Sequence, residues 1–84
     1  MARGSAIKVL YFAQVAEIVG LREEDWALPA ATTVAQWLPE LEARYPQLAP
    51  MARLQLAVNQ THATPDSPIQ PGDEVAVFEP VTGG

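Results

Sequence analysis

The sequence predicts a mixed α+β domain in which four or five strands form a sheet and one main helix lies across a single face. Three observations carry that prediction. Apolar residues alternate with period two near both ends of the chain, over Ala6 to Phe12 and over Glu74 to Phe78. Between them Val34, Leu38, Leu41 and Tyr45 recur at spacings of four, three and four, which aligns one apolar stripe on a helix. The length of 84 residues, 49% of them apolar, allows one small core and no second domain.

Each element has its own signal. Residues 1–5 read as a flexible lead-in, residues 6–79 as the domain and residues 80–84 as a protruding tail. In the first strand Ile7, Val9 and Tyr11 share one face and Lys8, Leu10 and Phe12 the other. Ala13 to Val19 places Val15, Ile18 and Val19 at helical spacing ahead of Gly20, which fits a short helix closed by a glycine. Trp26 and Leu28, two apart, mark a second strand over Glu23 to Leu28 that returns beside the first. Thr33-Val34-Ala35-Gln36 has capping-box spacing, so that the Thr33 hydroxyl and the Gln36 amide can each satisfy a free backbone donor where the main helix begins. Gln36, Glu40 and Glu42 then face water. Pro39 removes the bond to the Ala35 carbonyl and is expected to bend or delay the first turns, and Pro46 ends the helix. Leu54, Leu56 and Val58 alternate with Gln55, Ala57 and Asn59 as a third strand. Asn59-Gln60-Thr61-His62 turns into a short edge strand, and Pro71-Gly72-Asp73 turns into the last one.

If the first and last strands are neighbours, Ile7, Val9, Tyr11, Val75 and Val77 face the helix stripe. Leu10, Phe12, Ala76 and Phe78 then form an apolar patch on the uncovered face, a feature that small proteins reserve for a partner.

Composition excludes several functions. Ten acidic against five basic residues, a net charge of -5, leave no basic cluster for nucleic acid and favour basic protein partners. The absence of cysteine excludes disulfides, thiolate nucleophiles and cysteine-based metal sites, and suits a reducing compartment such as the cytoplasm. No apolar run approaches the roughly 20 residues of a membrane span. Lys8, Gln14 and Glu17 also argue against a signal peptide in the first strand.

Catalytic constellations are hard to assemble. His62 is the only histidine and reads as a solvated turn residue, which leaves no metal site. Glu23-Glu24-Asp25 reads as a solvated strand end, and Trp26 and Trp37 as core. No glycine-rich phosphate loop occurs, and no bound cofactor is expected. What remains is the C-terminal segment. The last strand ends at Phe78 and Pro80 stiffens the exit, so Val81, Thr82, Gly83 and Gly84 are expected to project as a narrow, uncharged rod. A tip without side chains can enter a tight slot and bring its α-carboxylate to a reactive group. From composition alone, a frayed end fits these residues at least as well.

Taken together, Ile7-Lys8-Val9-Leu10-Tyr11-Phe12-Ala13-Gln14-Val15-Ala16-Glu17-Ile18-Val19-Gly20, Ala57-Val58-Asn59-Gln60, Pro71-Gly72-Asp73-Glu74-Val75-Ala76-Val77-Phe78 and the end Pro80-Val81-Thr82-Gly83-Gly84 resemble the small subunits of molybdopterin synthase. The likeness runs over nearly the whole chain from Ala6. That family consists of ubiquitin-like β-grasp sulfur carriers without a catalytic constellation of their own. The resemblance implies that an E1-like adenylating enzyme uses ATP to activate the Gly84 carboxylate, which sulfur then converts to a thiocarboxylate. It further implies that the tail, Pro80 with Val81, Thr82 and Gly83, inserts into the large catalytic subunit of molybdopterin synthase. There the sulfur passes to a cyclic pyranopterin precursor of the molybdenum cofactor. Phe78 and Phe12, with Leu10 and Ala76, are the implied docking surface. Two positions depart from the family pattern: Ala16 stands where a basic residue is common, and Glu79-Pro80 where two prolines are common. Alternatives are a sulfur carrier for thiazole or cysteine synthesis, a ubiquitin-like protein modifier, and a plain interaction module. Lys8 is the only lysine, which disfavours chains built on the protein itself.

Overall fold

The computed structural model describes Ser5 to Pro80; residues 1–4 and 81–84 lie outside the described residues. Among the described residues, seven strands and two α-helices follow in the order β1 (Ala6–Tyr11), α1 (Ala13–Val19), β2 (Glu23–Ala27), β3 (Thr32–Thr33), α2 (Val34–Arg44), β4 (Gln55–Val58), β5 (Thr61–His62), β6 (Pro68–Ile69) and β7 (Glu74–Phe78). The main sheet has five strands in the order β2-β1-β7-β4-β5. Its central pair, β1 and β7, is parallel, with Val9 beside Val75 and Tyr11 beside Val77, and every other pairing is antiparallel. The first and last strands are therefore neighbours, the condition on which the two expected faces depended. β3 and β6 form a separate two-stranded ladder that the sequence pattern did not announce.

The core lies between the main sheet and α2. Ile7, Val9, Tyr11, Leu56, Val75 and Val77 from the sheet are buried with Val34, Trp37 and Leu41 from the helix. The stripe is thus shifted from the expected one. Trp37 is fully buried, whereas Leu38 and Tyr45 only pack against the core margin. Spacings of three or four residues both keep a helix face aligned, and the Trp26 ring on β2 decides between them. It meets Trp37 edge-on, centroids 5.2 Å apart and planes at 70°.

The α2 start is also made differently from the reciprocal box. Thr33 Oγ1 accepts from the Gln36 N–H at 3.2 Å, as expected. The Gln36 amide oxygen instead accepts from Thr32 Oγ1 at 3.0 Å. The carbonyls of Ser67 and Pro65 take the Val34 and Ala35 N–H groups, both at 3.0 Å, so a loop some thirty residues away in sequence satisfies two free donors of the first turn. Pro39 does not delay the helix, which begins at Val34 and runs through it. Pro39 and Ala35 are both exposed, where water can satisfy the carbonyl that loses its partner.

Local chemistry closes the other elements. Gly20 ends α1 at φ +87° and donates its N–H to the Ala16 carbonyl at 2.8 Å. Asn59 and Gln60, at φ +52° and +70°, form the two-residue turn between β4 and β5. Asn59 Oδ1 accepts from the Glu74 N–H at 2.9 Å and its Nδ2 donates to Asp73 at 3.0 Å, which fastens that hairpin to the start of β7. The chain is engaged from Ser5, one residue before the expected domain start, because its carbonyl accepts from the Leu28 N–H at 2.7 Å.

Candidate docking face and tail exit

The residues of β1, β7 and β4 that point away from α2 form cross-strand rows. One row runs Glu23, Leu10, Ala76, Ala57 and His62 across all five strands. A second, toward the start of β7, holds Asp25, Lys8 and Glu74. At the other end Phe78 pairs in register with Gln55, and Phe12 follows the last residue of β1, its N–H donating to the Val77 carbonyl at 3.3 Å. The open face is therefore graded: charged where β1 and β7 begin, apolar where they end. Leu10, Ala76 and Phe78 are half-buried there, and Phe12 is 48% exposed, one of two large apolar side chains so exposed among the described residues. The four side chains expected in a docking patch are brought together.

Because β7 runs parallel to β1, the chain leaves the sheet at this apolar end. Phe78 is the last strand residue, and the exposed Pro80 fixes the backbone φ two residues on. Glu79 faces the Arg53 guanidinium at 3.3 Å without the alignment of a hydrogen bond, linking the exit to the turn before β4. Partly exposed ion pairs of this kind contribute at most about 1 kcal/mol. Val81, Thr82, Gly83 and Gly84, the expected inserted segment, lie outside the described residues.

Beside the patch, α1 and the loop after it border an open depression of about 670 Å³, lined by Leu10, Phe12, Ala16, Leu21 and Arg22 among others. Leu21, 44% exposed, extends the apolar surface past β1. Its position in a loop gave no periodic signal. Ala57 and His62 were also missed, although the alternation of β4 placed Ala57 opposite Leu56 and Val58.

The acidic run behaves differently from a solvated strand end. Glu23 and Asp25 are exposed, but Glu24 has the inward parity of Trp26 and Leu28 and is partly buried at the sheet margin. One of its oxygens accepts from Tyr11 at 2.5 Å and from Tyr45 at 2.6 Å, and the other lies 3.5 Å from Arg44. Arg44 in turn stacks 3.8 Å above the Trp26 ring. Burial first, then the Glu24 hydrogen bond, hold both tyrosine hydroxyls above the ordinary phenol range. These contacts join β1, β2 and the end of α2. Among the described residues no group of three or more His, Cys, Asp or Glu is placed to hold a metal, and no helix is long and apolar enough to cross a membrane.

Comparisons with known proteins agree with this architecture. The profile of the ThiS family matches residues 9–84. A molybdopterin synthase sulfur carrier subunit from Escherichia coli is 42% identical over 80 residues, which cover 93% of this chain and 99% of that protein. The human protein of the same description is 39% identical over 82 residues, 93% of each chain. Among solved structures, a putative molybdopterin converting factor subunit 1 from Pyrococcus furiosus superposes with a TM-score of 0.80 at 29% identity, covering 90% of this chain and 98% of its own. Small archaeal modifier protein 1 of Haloferax volcanii gives 0.78 at 25% identity, covering 93% and 100%.

Proposed function

This chain belongs to the ThiS family, and from that membership we propose that it is the sulfur carrier subunit of a molybdopterin synthase. The observation that carries the reading is the parallel β1–β7 pair, which puts the apolar end of the open sheet face and the exit of the chain in one place. Gly84 lies six positions beyond Phe78, a reach of at most about 22 Å. A large catalytic subunit that covers Phe78, Phe12, Leu10 and Ala76 therefore has its reactive centre within that radius. The docking face anchors, and the tail delivers.

The chemistry at Gly84 needs help from outside. A carboxylate is a poor acyl electrophile, because its charge is delocalised and it lacks a leaving group. In an E1-like activating enzyme, a Gly84 carboxylate oxygen attacks the α-phosphorus of ATP; pyrophosphate departs and an acyl adenylate forms. A sulfur nucleophile at the sulfide level then adds to the acyl carbon and expels AMP, leaving a thiocarboxylate. That sulfur is the nucleophile delivered to a cyclic pyranopterin precursor in the large subunit. The chain supplies no catalytic side chain and binds no cofactor in this scheme; Gly83 and Gly84 contribute by having no side chains to obstruct a slot. Its place is the cytoplasm, in keeping with the absence of cysteine.

The likeness to a small archaeal modifier protein supports a second reading, in which activated Gly84 is transferred to lysines of other proteins. Intact-mass measurement after coexpression with an activating enzyme separates the two. Exchange of one terminal oxygen for sulfur is expected for the carrier. Covalent adducts with cellular proteins would favour the modifier, and an unchanged mass would overturn both.

A further inference from the structure

Beside Phe78, the open face carries a titratable group that the carrier chemistry does not use. His62 on β5 stands opposite Ala57 of β4, and so ends the row that runs through Leu10, Ala76 and Ala57. Its ring meets the Phe78 ring edge-on, with centroids 6.0 Å apart and planes at 85°. Nε2 contacts the amide oxygen of Gln55, which is the register partner of Phe78. An exposed histidine is thereby tied to the apolar patch from two sides.

We propose that His62 belongs to the docking face and makes docking proton-linked, the imidazolium form binding the partner more weakly than the neutral ring. The inference rests on the carrier reading above. A neutral imidazole can be covered together with Phe78 and the two alanines. An imidazolium covered there must lose its water against apolar neighbours. The charged groups on the surrounding elements are Glu74 on β7, Glu79 after it, Arg53 before β4, and Asp66 and Asp73 between β5 and β7. Glu79 is engaged by Arg53, and Asp73 by Asn59 and the Gln70 N–H. The Gln55 amide oxygen can accept from Nε2–H in either charge state, and among the described residues no carboxylate forms an ion pair with His62, so nothing on this chain balances the added charge. Histidine changes charge in the range in which such a link is felt, between about pH 5 and 8. The partner surface that fits is apolar opposite Phe78 and carries no acid opposite His62.

The test is calorimetric titration of the full chain into the large catalytic subunit of a molybdopterin synthase at about pH 5.5 and pH 8, with wild type and His62→Leu. Wild type should lose severalfold in affinity at the lower pH relative to the variant. Parallel pH profiles of the two proteins would overturn the inference while leaving the carrier reading intact, as would tighter binding at low pH that His62→Leu abolishes. Absence of binding by either protein at both pH values would overturn the docking reading and this inference with it.

Discussion

Neighbouring residues of the central strand pair meet opposite fates. Val9 and Val77 are fully buried beneath α2, whereas Leu10 and Phe78, one residue further along, lie half-buried on the open face. Both pairs are apolar, and both belong to the same two strands. The pleat of the strand sends alternate side chains to opposite faces, so one short sequence supplies the core and the open face with separate residues. Substitutions at adjacent positions should therefore give different phenotypes.

The largest effect is expected at Val77. Val77→Asp places an unpaired carboxylate at a fully buried site and should remove more than about 4 kcal/mol, against a total of roughly 5 to 15 kcal/mol for a small domain. Loss of the cooperative urea transition would confirm it; a near-normal midpoint would mean that the inner face is looser than it is described. The tyrosine cluster comes next. Because Tyr11 and Tyr45 are harder to deprotonate in the folded chain, the unfolded chain gives up these protons first. Their stabilising contribution is present below an ordinary phenol value of about 10 and is lost as pH rises through the folded-state values. Tyr11→Phe should be less stable than wild type by about 1 to 2 kcal/mol near neutrality, with a shallower decline on the alkaline side. Equal alkaline slopes in urea melts would separate the Glu24 cluster from this role. The smallest effect on stability is expected at Phe78. Phe78→Asp should shift stability by less than about 1 kcal/mol, yet weaken binding to the large subunit at least tenfold. Unchanged affinity would remove Phe78 from the docking face.

Most of the main sheet could be read in advance because it is written in a short-range code. Alternation in β1, β4 and β7 and the glycine after α1 need only neighbours in sequence to be recognised. The features that escaped depend on distant partners. Thr32–Thr33 and Pro68–Ile69 are too short to show a period, and they become strands only by pairing with each other. Thr32 and the carbonyls of Pro65 and Ser67 redirect the capping of α2, which the Thr33 to Gln36 spacing could not reveal. Trp37 displaces Leu38 because Trp26 waits on another strand. Glu24 was legible in principle, since it shares the parity of Trp26 and Leu28, but the two acidic residues flanking it drew the reading toward solvent. At the site, Leu10, Phe12, Ala76 and Phe78 followed from parity, whereas the nearness of His62 to Phe78 required the sheet order.

The place of β7 in the middle of the sheet has a consequence for biosynthesis. Of the sheet strands β7 is synthesised last, yet β1 and β4 each need it as a partner, so the nascent chain cannot complete this ladder until β7 has left the ribosome. Synthesis that stops before Phe78 leaves no finished sheet and no ordered open face.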